Sequence, residues 1–318
     1  MKKIILICPG DIAYYPGKIG DVIVVSSVAN YLKKLNYNVH FITNKLMKET
    51  LETTYDFSFS TFLDEENTQF KKEDLILSLN AEFIFILRPF FNKFADIWEK
   101  QLWDYGITKE IIFRIGDLNS FSMNGPHIID QILNKIIKFL NKERQIEKIY
   151  PILDISKVKT GFEFDYVILP FAGDQRKWIT NEIIIKIINK LKGIIVILGT
   201  ELEFEKLKSF KKDIESKYSN VKFISKSINE ISLICSKSKE IFTADNGLMW
   251  CAVSGLNWLI INKKISQQEV PKIKVFIGKE ITQNMLPTSS VWKPILIYKN
   301  KVEIINENQK LNLKKIRF

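Results

Sequence analysis

The sequence predicts a two-domain α/β protein, each domain a parallel sheet covered by helices on both faces. Three observations predict it. The chain has 318 residues, about twice the usual size of a single domain. Short continuous apolar runs alternate along it with segments of helical periodicity, the pattern of a parallel sheet with helical crossovers. Between Asn141 and Thr160 that periodicity lapses and the composition turns polar and charged, which marks a junction between domains. The boundary divides residues 1–155 from 156–318, with a last helix expected to pack back on the N-terminal domain.

Taken in order, Lys3–Cys8 is an apolar run closed by Pro9-Gly10 and reads as a strand buried on both faces. A glycine-containing loop leads to Asp21–Leu35, where Val22, Val25, Val28, Ala29 and Leu32 recur at helical spacing, and Tyr37–Thr43 returns to strand. The loop of this strand, helix, strand unit lies at the carboxyl end of its first strand, where open α/β sheets bind ligands. Glu82–Leu87 and Glu110–Ile115 follow as strands and Asp130–Leu140 as a helix. The second half alternates more plainly. Strands are predicted at Tyr166–Leu169, Gly193–Leu198, Val221–Ile224, Glu240–Thr243 and Trp258–Ile261. Helices are predicted between them at Asn181–Leu191, Glu201–Lys217, Ile228–Ser236 and Gly247–Ser254.

Hydrophobic residues make up 46% and charged residues 26% of the chain, so it has enough apolar material for two cores and is not of the disordered class. The formal charge of +11 is spread from Lys2 to Lys315. It favours anionic partners, whether nucleic acid, a phospholipid surface or a phosphorylated small molecule, and a lysine-rich solvated surface gives the same number. A recognition helix, zinc spacing and an aromatic RNA-binding signature are all lacking, so nucleic acid is not an expected partner. Cys8, Cys235 and Cys251 are widely separated in apolar segments and read as buried thiols in a reducing compartment. Apolar stretches such as Ile194–Leu198 are too short to cross a bilayer, and Met1-Lys2-Lys3 precedes no apolar region of signal-peptide length. A cytoplasmic protein is expected, one that visits the inner-membrane surface at most. The two histidines, His40 and His127, stand apart from cysteine pairs and carboxylate clusters, so both read as structural and no metal is expected. A Gly-x-Ser-x-Gly elbow and a Walker lysine loop are also lacking.

Certain stretches carry more specific information: Gly20-Asp21-Val22-Ile23 at the start of the first helix, then Ala172-Gly173-Asp174-Gln175-Arg176-Lys177-Trp178. Further on come Leu198-Gly199-Thr200-Glu201-Leu202-Glu203 and Asp245-Asn246-Gly247-Leu248-Met249-Trp250. In this order, each at the carboxyl end of a predicted strand, they resemble the heptosyltransferases of glycosyltransferase family 9, over roughly Lys3–Ile261. The sequence departs from the family pattern in places. Residues are added around Ile12–Lys18, and a proline common in the first helix is replaced near Ser27. Arg176 stands at the family's lysine if Trp178 is the anchor, Trp250 replaces a histidine, and Asn262-Lys263-Lys264 stands where Gly-Pro-Thr is usual.

The resemblance implies a GT-B architecture, two Rossmann-like domains facing a central cleft, and an inverting, metal-independent sugar transfer with no cofactor. The implied donor is ADP-heptose or a related nucleotide sugar, and the implied acceptor a phosphorylated lipopolysaccharide or lipooligosaccharide core. Such a transfer needs a base for the acceptor hydroxyl. Asp21, exposed at the cleft after Gly20, is the candidate, with a helix N-cap as the competing role. It also needs fixed positive charge and amides for the departing diphosphate. Arg176 and Lys177, following the flexible Gly173, would clamp phosphates, although an exposed basic pair before an amphipathic helix is a common surface feature. Asn246, Gly247 and Leu248 would present backbone amides, with Gly247 allowing close approach. Asp245 would either cap that helix or contact ligand, and Trp250 reads as packing. Gly199 ends a donor-domain strand, and Glu203 matches the family's ribose-binding acid. Glu201 and Glu205 compete for that role, and first-turn helix stabilisation accounts equally for Glu203. Two other functions keep the same fold: a nucleotide-sugar epimerase or hydrolase, and a catalytically inactive nucleotide- or glycan-binding relative.

Overall fold

The computed structural model describes residues 2–9, 19–64, 66, 68–87, 92–115, 126–144, 147–161, 163–173, 175–277 and 295–306. The added loop Ile12–Lys18, Asp174 and the basic end Lys314-Lys315-Ile316-Arg317 lie outside the described residues. The chain divides into two compact units, the first over Met1–Pro151 and the second beginning at Ile152.

In the first unit, β1 (Lys3–Ile7), α1 (Ile19–Lys34), β2 (Asn38–Thr43), α2 (Lys45–Leu51) and β3 (Ser58–Thr61) are followed by α3 (Lys72–Leu79), β4 (Phe83–Leu87), α4 (Asn92–Asp104), β5 (Ile112–Ile115) and α5 (Ile128–Phe139). The sheet is parallel, in the order β3-β2-β1-β4-β5. Ile4, Ile5, Leu6 and Ile7 of its central strand are all fully buried, as the unbroken apolar run requires. One core gathers Ile5, Ile7, Ile84 and Ile86 around Trp98 of α4, which is buried against Phe62 and Phe94. At the far side, buried His40 of β2 meets Ser58 and Ser60 of β3 and Asp74 of α3 at 2.8, 3.1 and 3.0 Å. This polar knot fastens the edge strand to its neighbour. Asn44 caps α2 through Met47 N and also donates its amide to Pro9 O at 2.6 Å, tying the root of the β1 loop to the end of β2.

The second unit comprises β6 (Tyr166–Leu169), α6 (Asn181–Lys190), β7 (Ile195–Leu198), α7 (Glu201–Lys206), α8 (Lys208–Lys217) and β8 (Val221–Ile224). α9 (Ile228–Lys237), β9 (Glu240–Ala244), α10 (Gly247–Ile261), β10 (Lys272–Ile277) and β11 (Val302–Asn306) complete it. Its parallel sheet runs β11-β10-β9-β6-β7-β8. Two parallel α/β units in tandem are the architecture expected from the sequence.

Several elements differ from their sequence assignment. Trp258–Ile261 is the last part of α10 and not a strand. A four-residue apolar run cannot be told from a buried helix segment by period. Here the backbone continues as a helix, Asn262 N donating back to Trp258 O at 3.0 Å. The next strand is therefore Lys272–Ile277, so Asn262-Lys263-Lys264 follows a helix, and the residues after the true strand, from Gly278, lie outside the described residues. Glu201–Lys217 forms two helices joined at Leu207. Phe204 and Phe210, both in the core, are six residues apart, which at about 100° per residue would put them on different faces of one continuous helix. The break at Leu207 turns both inward. The first helix begins at Ile19, so Asp21 lies in its first turn and is not its cap.

Trp98→Ala should lower the unfolding free energy by roughly 3–5 kcal/mol, the scale for deleting a fully buried indole, read from the urea midpoint.

Candidate functional site

In an open α/β sheet, ligands sit outside the carboxyl ends of the strands where the strand order reverses. In the second unit that point lies between β6 and β9, and β7 flanks β6 on its other side. Leu169 pairs with Thr243, so the loops after β6 and β9 leave the sheet at one level. Three of the sequence-marked stretches are carried by these adjacent strands, and the sheet order brings them to one edge.

The β6 loop is built tightly. Trp178 donates its Nε1 proton to Ala172 O at 2.7 Å and meets the Phe171 ring edge-on at 5.0 Å, while Ile179 N donates to Pro170 O. Exposed Gly173 lies between the two halves of this closure. A single 3-10 turn over Gln175–Lys177 then presents Arg176 to solvent and Lys177 half-buried. Lys177 Nζ lies 2.9 Å from Asp245 Oδ2. The structure thus joins two predicted site residues and gives Asp245 a role not foreseen for it. Asp245 is a buried carboxylate paired with a lysine, and the cap of α10 is Asn246.

Asn246 accepts from Met249 N at 2.7 Å and donates to Leu169 O and Phe171 O at 3.1 and 2.5 Å. Its side chain is spent within the protein. Gly247 and Leu248 form the half-exposed first turn of α10, and Met249 and Trp250 turn inward, so Trp250 is packing, as its position one turn in suggests.

Beside this pair, the β7 loop carries Gly199 and Glu203. Glu203 forms a capping box with Thr200, its Oε2 accepting from Thr200 N at 2.8 Å and from the Thr200 hydroxyl at 3.0 Å. Helix stabilisation and a held carboxylate at the sheet edge therefore coexist. Glu201 and Glu205 are exposed. The signal Thr-x-x-Glu was present in the sequence, and Thr200 is the residue that reading overlooked.

In the first unit, Gly20 and Asp21 lie in the first turn of α1, which follows β1 at that sheet's reversal point between β1 and β4. Gly20 is half-buried and Asp21 buried, not exposed as expected from the sequence. All three cysteines are buried and outside any disulfide, and burial pushes the Cys235 and Cys251 thiols well up, away from reactive thiolate. Among the described residues no three His, Cys, Asp or Glu side chains gather as a metal-binding group.

Gly199 is dictated by packing. A Cβ there would stand 2.5 Å from Phe171 Cε2 and 3.0 Å from Phe204 Cε1. The Phe171 ring is held edge-on by Trp178 and Phe204 and has little room to yield. Gly199→Ala should therefore cost about 1–3 kcal/mol by overpacking, measured by urea unfolding.

No protein-family model matches the sequence. No curated protein sequence matches it either. Solved structures do. Family 9 glycosyl transferase from Veillonella parvula aligns with a TM-score of 0.65 at 11% identity, over 96% of this chain and 87% of that one. E. coli ADP-heptose lipopolysaccharide heptosyltransferase II aligns with a TM-score of 0.60 at 13% identity, over 96% and 90%. E. coli heptosyltransferase WaaC with ADP gives 0.58 at 8% identity, over 96% and 93%. At such identities the likeness establishes the fold, and the chain has the two-Rossmann-domain fold of these glycosyltransferases.

Proposed function

We propose that the protein is an inverting glycosyltransferase that moves heptose, or a related sugar, from a nucleoside-diphosphate donor to a phosphorylated lipopolysaccharide or lipooligosaccharide core. The observation that carries this reading is the Lys177–Asp245 pair beside the start of α10 at the sheet reversal, since it fixes a cation where a diphosphate would lie. Structures of the same fold hold ADP and ADP-2-deoxy-2-fluoro heptose, which supports a nucleotide sugar as the donor. On this reading, residues 156–318 bind donor and residues 1–155 bind acceptor.

In the proposed reaction the acceptor hydroxyl oxygen attacks the anomeric carbon as its proton passes to Asp21. The bond from that carbon to the diphosphate oxygen breaks, and the nucleoside diphosphate leaves with the electron pair. An ammonium has three donors. Asp245 holds Lys177 in place with one of them, and the remaining protons, with the Arg176 fork and the amides of Gly247 and Leu248, would receive the growing charge. The charge is thus met by protein groups without a metal. Gly173 gives the loop room beside the phosphates, and the Glu203 carboxylate would accept from ribose hydroxyls. The positive chain, +11 overall, suits an acceptor phosphate and the anionic inner leaflet where such a glycolipid resides. The proposed contact with that leaflet is peripheral, from the cytoplasmic side; among the described residues no helix is long and apolar enough to cross a membrane.

Asp21→Asn should reduce turnover roughly 10²–10⁴-fold, the usual worth of a general base, while calorimetry finds ADP-sugar affinity near wild type. Wild-type turnover in that variant removes Asp21 as base, and sugar release without acceptor would make the protein a hydrolase. Arg176→Ala and Lys177→Ala should weaken ADP binding, more strongly at low salt than at high. Salt-independent, unchanged affinity in both removes the clamp.

A further inference from the structure

We infer that Asn246 is a positioning residue whose carboxamide fixes the Lys177-bearing loop against the start of α10, an inference that rests on the donor reading above. Capping alone does not call for asparagine here. A cap needs one acceptor, which serine, threonine or aspartate supplies equally well. The Asn246 Oδ1 does that work at Met249 N, with the Thr243 hydroxyl at 3.5 Å on the same oxygen. Its NH2 group is unnecessary for the helix, yet both protons are used, on Leu169 O and Phe171 O. Leu169 is the last residue of β6, so the clamp grips the loop at its root.

At its other end the same loop is gripped by the Lys177–Asp245 pair, and Asp245 immediately precedes Asn246. Adjacent residues after β9 thus seize both ends of the loop after β6. Ordering a lysine on an untethered loop would consume side-chain and backbone entropy when an anion arrives. With both ends fixed beforehand, that cost falls on folding instead. The first unit repeats the device once: Asn44 caps α2 and donates to Pro9 O across neighbouring strands.

The test is isothermal titration of ADP, UDP, adenosine and uridine into wild type, N246S, K177A and the double variant. N246S keeps a capping oxygen and removes only the clamp, and N246D, which turns a carboxylate oxygen toward the two carbonyls, is the isosteric counterpart. The expected result is a roughly tenfold loss of diphosphate affinity relative to the matching nucleoside, on the scale of one or two net hydrogen bonds. Nucleoside affinity itself should stay unchanged. K177A should cost several-fold less in the N246S background than in wild type, because an unclamped loop no longer presents the lysine. N44S, which removes the corresponding clamp in the first unit, controls for lost stability and should leave the ratio unmoved. An N246S ratio equal to wild type, or additive effects of N246S and K177A, overturns the inference while leaving the donor reading intact. Wild-type protein that binds neither diphosphate removes the donor reading and this inference with it.

Discussion

Parallel pairing of β6 with β9 is the constraint on which the candidate site depends. Leu169 and Thr243 lie opposite one another at the carboxyl edge. A residue three beyond Thr243 can therefore reach back to the carbonyl of Leu169, and Asn246 does so. A slip of one residue would carry every side chain of the strand to the other face of the sheet and part these groups. The buried runs beneath this edge are Val167–Leu169 and Ile241–Thr243, apolar but for Thr243. The geometry of the polar edge is set by apolar packing beneath it.

At that edge, local charge differs from bulk charge. The chain as a whole carries +11, but the half-buried Lys177 is neutralised by the buried Asp245. A carboxylate near a proposed diphosphate repels it, and the lysine offsets that repulsion. Arg176 is exposed on the same turn, and the amide end of α10 adds a partial positive charge within its first turn. The two adjacent basic residues thus differ in setting, Lys177 half-buried and paired with Asp245 and Arg176 exposed, a distinction that their adjacency in sequence does not display.

Much of the fold was legible along the chain. Buried parallel strands announce themselves as unbroken apolar runs, and β1, β6, β7 and β9 fall where such runs stand. Capping boxes at Thr200–Glu203 and Ser227–Glu230 each stand in four consecutive letters, although neither enters the sequence assignment. Reading failed where local pattern underdetermines structure. The segment Trp258–Ile261 has the composition of a strand, yet it continues a helix whose body, Met249–Asn257, is buried and which packs against α9. Phe204 and Phe210 belong to one core only because the chain bends between them. The weakly patterned elements α2, β3, α3 and α4 emerged only in the folded unit.

By itself, the sequence determined the alternation of strands and helices and the two-domain division of the chain. These follow from periodicity and turn chemistry, which act between residues a few positions apart. Only the tertiary structure decided that Lys177 meets Asp245, 68 residues away, that Asn246 turns its amide on Leu169 and that Gly199 makes room for the Phe171 ring. Those contacts depend on which strand lies beside which, and strand order is settled by how buried faces pack in three dimensions, a quantity no local stretch of the chain contains.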